Sequence, residues 1–180
     1  MKHLNMVLNN PELVDADICE IGVYRGGTLD LIAKRVQEVG WKGVVRGFDT
    51  FTGLPTPTQE DLGVKSPHAK GDFADTSITK LVELLPPGVQ LHQGRYPDDF
   101  LDLNLKLAFV HLDVDFHDEI LQSLYEIDMT MCWGGIVVVD DYNWHRTPGV
   151  KTAVDSFLAG PTVSFKLFAK AENQVALRLA

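Results

Sequence analysis

A chain of 180 residues and 20.0 kDa is long enough for one domain with its own apolar core. Hydrophobic residues make up 45% of it and mean hydropathy is −0.01. No apolar run could span a bilayer, and the first fifteen residues hold no apolar stretch of the kind that opens a secretory signal. A formal net charge of −9 argues against a nucleic-acid backbone as partner. Cys19 and Cys132 sit in apolar, strand-like stretches and read as buried free thiols of a cytoplasmic protein.

In chain order, a short segment, 1–15, precedes a first strand at 17–23. Residues 27–39 place Leu29, Ile32, Ala33 and Val36 at helical spacing, and Gly40 stops that helix. A second strand, 43–48, ends at Asp49. Residues 51–75, rich in Pro, Gly and Thr, form the longest irregular segment, and loops of that length usually serve function. A helix follows over 76–85, with Asp75 or Thr76 as its cap and Pro86-Pro87 as its stop. A short third strand spans 89–92. Strand 107–112, helix 116–129, strand 136–139 and helix 149–158 come next. Two final strands, 163–169 and 174–179, are joined as a hairpin. Strands alternating with helices predict a single Rossmann-like α/β domain over 1–180. Its sheet is doubly wound, mostly parallel and seven-stranded, with an antiparallel strand at the C-terminal end.

The apolar runs 107–112 and 135–139 suit strands buried on both faces. The first delivers Asp113 and Asp115, the second Asp140 and Asp141. Ligands of open α/β sheets bind at such carboxyl ends. Four carboxylates converging there repel one another unless a cation or a proton relieves them, and an all-oxygen cluster suits Mg²⁺. The plainer alternative is that these acids cap helices.

Glu20-Ile-Gly22-Val-Tyr24-Arg25-Gly26-Gly27 occupies a strand-to-helix junction. Its G-x-x-x-G-G spacing is not that of a dinucleotide phosphate loop. The acid before the first glycine suits a ligand with an amino-acid tail. Asp49, at the second strand end, can accept from both hydroxyls of a ribose. Thr50 and Phe51 follow it, and Gly94 and Tyr96 supply the next wall of the pocket. Tyr96 or Phe51 would face an adenine ring, or each is a plain core aromatic. Three histidines lie near the acids. His111, inside a strand, reads as a core residue packed or bonded to backbone. His117 and His145 are candidates to tune a base or touch a second substrate. Trp144 would stack on a sugar ring or cover the core.

EIGVYRGGT, GFDTFTGLP, GDF, GRYPDDF, FVHLDVDFHDE and GGIVVVDDY, in that order, resemble the macrocin O-methyltransferase family over about residues 18 to 157. The resemblance implies the class I methyltransferase fold and S-adenosyl-L-methionine as methyl donor. It also implies Mg²⁺ or another divalent cation that orients vicinal hydroxyls of a sugar. Asp113, Asp140 and Asp141 would then be metal ligands and Asp115 the general base. Asp113 would also border the donor. Glu20 and the 22–27 loop would hold the methionine part and Asp49 the ribose. Three departures stand out: His117 replaces a usual Tyr, with Glu119 and Ile120 in place of small polar residues; the C-terminal strands are brief; and the N-terminal segment is short. The last leads us to expect an acceptor site that is open or completed by a partner, with a homo-oligomer as one form. Two other readings remain at this point: a donor-binding subunit without activity, and a catechol-type O-methyltransferase.

Overall fold

The computed structural model describes residues 1–62 and 67–180, so part of the irregular 51–75 segment lies outside the described residues. Seven strands form one sheet: β1 Asp17–Ile21, β2 Val45–Asp49, β3 Gln90–Gln93, β4 Leu107–Leu112, β5 Met131–Val139, β6 Phe165–Lys170 and β7 Val175–Leu179. Their spatial order is β3-β2-β1-β4-β5-β7-β6. The pairs from β3 through β5 are parallel. β7 enters antiparallel between β5 and β6, as the closing hairpin predicts. The order reverses between β1 and β4, the switch point where open α/β sheets bind ligands.

Helices α2 Gly27–Glu38, α3 Ile78–Leu84, α4 His117–Thr130 and α5 Pro148–Leu158 cross between strands. The alternation of residues along the strands feeds two cores. One joins Val110, Leu112 and Val139 to Ile120, Leu124 and Phe157 of α4 and α5. The other joins Ile18 and Ile136 to Leu29 and Ile32 of α2. Every residue of β1 and of β4 is buried, including Glu20 and His111, which are the only ionisable side chains of those two strands besides Cys19 and Asp17.

Three local expectations change. Residues 2–8 form a further helix, α1 Lys2–Leu8, followed by a 3-10 turn over Pro11–Leu13. Seven residues are too few for a helix to stand alone. Burial of Leu4 and Val7 in the second core supplies roughly 1.5–3 kcal/mol each. The cap of α3 is Ser77, whose hydroxyl accepts from Lys80 N, rather than Asp75 or Thr76. Cys132 is only partly buried, because β5 begins earlier than its apolar run, at Met131, outside the fully covered part of the sheet.

Candidate active site

The carboxyl ends of β1, β2, β4 and β5 open into one cavity of about 490 Å³. Its walls include Glu20, Asp49, Tyr96, Asp113, Asp115 and Asp141. Two halves can be told apart.

In the first half the chain after β1 turns back on itself. Gly22 donates to Phe48 O at 2.9 Å, and Asp113 N donates to Ile21 O at 2.8 Å. Gly22 has φ +88°, and a Cβ there would lie 1.8 Å from the Asp113 carbonyl oxygen, so only glycine fits. Asp49 locks this turn. Its Oδ2 accepts from the amides of Val23 and Tyr24, both at 2.8 Å, and its Oδ1 from Phe51 N at 2.7 Å. A carboxylate has about four acceptor positions, so the loop itself takes most of them. A ribose would share an acid already committed to backbone.

Gly22, Tyr24, Arg25, Gly27, Thr50, Gly94 and Tyr96 also line this half. Gly26 and Phe51 do not. Gly26 caps α2 with φ +76° beneath Leu81, and Phe51, at φ +55°, is turned into the second core. Of the two aromatics proposed to face an adenine, the structure therefore puts only Tyr96 on the cavity.

The second half holds the acids. Asp113, Asp115 and Asp141 bring one oxygen each within 4.8 Å of one another, and a ring nitrogen of His111 lies equally close to one oxygen each of Asp113 and Asp140. Asp113 belongs to both groups, so the four acids form one cluster and Asp115 is not set apart from it. Asp115 and Asp141 have φ of 64° and 58°, a left-handed backbone that costs energy in any residue with a Cβ. Both bring a carboxyl oxygen beside that of Asp113. Burial first, then the charges of Asp113 and Asp141, push Asp115 up to about 8. Burial does the same for Asp113, to about 7, with Asp140 and Asp141 adding to it against the opposing pull of His111. Asp141 rises to about 6, by burial and by Asp140. Asp140 is different. Burial would raise it, but His111, the amide of Asp141 and Gln174 hold it below the usual carboxylate range. Without a cation, then, this cluster keeps protons that ordinary carboxyls lose.

His111 is not the plain core histidine that its strand context suggests. Its Nδ1 lies 3.0 Å from Glu20 Oε1 and its Nε2 lies 3.5 Å from Asp140 Oδ2. Burial lowers its pKa, but these two acids outweigh burial and raise it to about 10. His117 and His145 do not line the cavity. His117 turns its ring to Asp118 at 2.8 Å, and His145 is exposed, edge-on to Trp144. Trp144 and Glu119 do line it. Glu119, one of the departures from the family pattern, accepts from Arg95 Nη2 at 2.8 Å across the cavity wall.

A residue that sequence reasoning passed over anchors the long loop. Asp61, 1% exposed, ends a 3-10 turn over Gln59–Asp61. Its Oδ2 accepts from Thr58 N and Oγ1, and its Oδ1 from His117 N at 2.9 Å. The residue before α4, Phe116, gives no side-chain cap, so Asp61 caps that helix from 56 residues away. A Cβ on Gly149 of α5 would meet the same carboxylate at 1.9 Å. The loop is thereby tied to both helices that follow the acid-bearing strands, while its Leu54, Pro55 and Phe73 face the cavity.

Comparison with known proteins agrees with this fold. The chain matches the family described as Macrocin-O-methyltransferase (TylF) over residues 1–174. Among solved structures it is similar to the O-methyltransferase NovP, with a TM-score of 0.75 and 22% identity over 98% of this chain and 79% of that one. It is also similar to CalS11, a calicheamicin methyltransferase described as a TDP-rhamnose 3'-O-methyltransferase. That match has a TM-score of 0.74 and 20% identity over 97% and 76% of the two chains. An O-methyltransferase from Bacillus cereus, solved with SAH, shares the fold at a TM-score of 0.58 and 14% identity, over 98% and 79%. No curated protein matches the chain in sequence. With nearly its whole length matched, and with the glycine turn, the β2 acid and the switch-point cavity in place, the chain belongs to the macrocin O-methyltransferase family of S-adenosylmethionine-dependent O-methyltransferases.

Proposed function

We propose that the protein methylates a hydroxyl of a small hydroxylated acceptor, a sugar or a glycosylated small molecule, with Mg²⁺ held by Asp113, Asp140 and Asp141 and with Asp115 as base. The observation that carries this reading is that one cavity is bordered by both the donor turn and all four acids. The donor set is entirely oxygen apart from His111, which fits a hard cation. The protons that the cluster otherwise retains mark charge that a cation would balance. A cation there would supply positive charge that acidifies an acceptor hydroxyl.

The chain's own residues do the rest. Asp115 takes the hydroxyl proton on its carboxylate as the acceptor oxygen bonds to the donor methyl carbon. The carbon–sulfur bond breaks, and S-adenosylhomocysteine leaves with the electron pair. Glu20 and the turn at 22–27 hold the amino-acid end of the donor, and Asp49 the ribose. Much of the rate enhancement is positioning of two reactants in line. Trp144 and Phe73 give the acceptor an apolar wall beside the acids. The sugar acceptor named for CalS11 favours a sugar here as well. No helix among the described residues is long and apolar enough to cross a membrane, and a cytoplasmic setting belongs to this proposal.

The test is a thermal melt with and without Mg²⁺, joined to S-adenosylhomocysteine release on a panel of nucleotide sugars and glycosides. Mg²⁺ should raise the melting temperature by mass action on the folded state. Asp140→Asn combined with Asp141→Asn should abolish the rise. No metal response in melting or turnover would defeat the metal part. No release on any acceptor, with donor still bound, would favour a subunit without activity.

A further inference from the structure

His111 has no task in the scheme above, yet it is the side chain on which both halves of the site converge. The sheet puts it there. Glu20 and His111 are direct register partners on β1 and β4. Asp140 follows β5, and its amide donates to Leu112 O at 2.9 Å, one residue beyond His111. The imidazole is 6% exposed and Glu20 2% exposed. One ring nitrogen meets each acid: Nδ1 at 3.0 Å from Glu20 Oε1, Nε2 at 3.5 Å from Asp140 Oδ2. Glu20 Oε2 is buried with no hydrogen-bond partner, on a residue that borders the cavity. Asp140 is held further by Gln174 Nε2 at 3.1 Å and by the amide of Asp141.

A packing role does not account for this. The other residues of β4 are apolar, and an aliphatic side chain would fill the position more cheaply than a buried imidazole. Such a replacement would leave Glu20, buried, without its one side-chain partner, an expensive state.

We infer that His111 is a positioning residue serving two ligands at once: through Nδ1 it presents Glu20 to the ammonium of the methyl donor, and through Nε2 it presents Asp140 to the cation. Both halves rest on the reading above: the cation half on its metal site, the donor half on its placing the amino-acid end of the donor at Glu20.

The two nitrogens can be separated chemically. The amide nitrogen of Asn stands about where Nδ1 stands, and that of Gln about where Nε2 stands. His111→Asn should therefore keep S-adenosylhomocysteine affinity within about threefold and lose roughly tenfold or more in Mg²⁺ affinity. His111→Gln should do the reverse, and His111→Leu should lose both. Calorimetry on the full chain with S-adenosylhomocysteine alone, then with Mg²⁺ alone, reads each arm, and melting curves show whether each variant is folded. Parallel losses in the Asn and Gln variants, or no loss in either, would reduce His111 to a packing residue. If the wild type binds no Mg²⁺, the metal reading fails by itself. The inference is then judged on the donor arm, where equal S-adenosylhomocysteine affinity in the two variants overturns it. Should both variants fail to fold, imidazole ¹⁵N shifts of the wild type decide. Nδ1 should move on adding S-adenosylhomocysteine and Nε2 on adding Mg²⁺, and a ring indifferent to both overturns the inference.

Discussion

The two halves of the cavity are built on opposite principles. At the donor end the protein satisfies itself. Asp49 spends its carboxylate on three backbone amides, and the turn at Gly22 is closed by main-chain bonds to β2 and β4. At the acid end four carboxyls share a small volume, two of them on left-handed backbone, and three hold protons well above the ordinary range. A finished cradle suits a ligand that every family member shares. An unbalanced cluster suits chemistry, because strain and charge tolerated without ligand are released when the right ligand arrives. His111 joins the two, with one nitrogen on each.

The contrast breaks most sharply at Asp115. Asp115→Asn keeps the shape and removes the proposed proton acceptor. It should cut turnover by ~10²–10⁴-fold, the usual share of general-base catalysis, while S-adenosylhomocysteine affinity stays as it was. Turnover is followed by S-adenosylhomocysteine release with saturating Mg²⁺. Because Asp115 stands within the same oxygen cluster as Asp113 and Asp141, a variant that loses Mg²⁺ affinity instead would make it a ligand. A variant with nearly full turnover would move the base elsewhere.

A smaller effect separates the halves by pH. The folded pKa values of Asp113, Asp115 and Asp141, about 7, 8 and 6, stand above those of the unfolded chain. The folded state thus holds protons more tightly than the unfolded one. The stability they contribute is fully present below about pH 4 and is lost as pH climbs through 6 to 8. His111, raised to about 10, acts in the same direction from about pH 6.5 upward. Asp140 is lowered and has the opposite sign, but its change lies below pH 4. The metal-free protein should therefore melt lower at pH 8 than at pH 5.5. One proton held over one pH unit is worth about 1.4 kcal/mol, roughly 3–5 °C for a chain of this size. Saturating Mg²⁺ should remove most of that slope. Equal melting temperatures at the two pH values without metal would show that the acids are less coupled than their geometry indicates.

The donor turn and the four acids were legible in sequence, because their signals are local. A strand, an acid and spaced glycines sit in one short run, and Asp49 ends the next strand. The mostly parallel sheet and its one antiparallel strand followed from the alternation of elements and the closing hairpin. What escaped depends on partners far along the chain. His111 looks like one more residue of an apolar strand until register sets it beside Glu20, 91 positions earlier. Asp61 sits in an irregular loop, and nothing nearby announces that it caps a helix 56 residues later. Helix α1 is too short for periodicity to reveal and exists through burial of Leu4 and Val7. Phe51 failed in the other direction: its neighbours in sequence line the cavity, but its own left-handed backbone turns the ring inward.

That last difference sets up the smallest effects, both at the donor end. Asp49→Ala takes away the proposed ribose acceptor and also frees three amides that the carboxylate now holds, so the turn should loosen as well as lose a contact. Donor affinity should fall by roughly 1–3 kcal/mol, the cost of stranding polar groups in a covered site. Phe51, two residues on, should behave otherwise. Phe51→Leu trades one buried apolar side chain for another in the second core, and its effect should appear in the melting temperature. S-adenosylhomocysteine affinity should stay within about twofold of wild type, or under roughly 0.5 kcal/mol. Calorimetry on the two variants side by side makes the comparison. A large loss in Phe51→Leu would mean that the ring reaches the adenine after all, and that the core position described here is left when the donor binds. An unchanged affinity in Asp49→Ala would mean that the carboxylate serves the turn alone, with the ribose held by backbone.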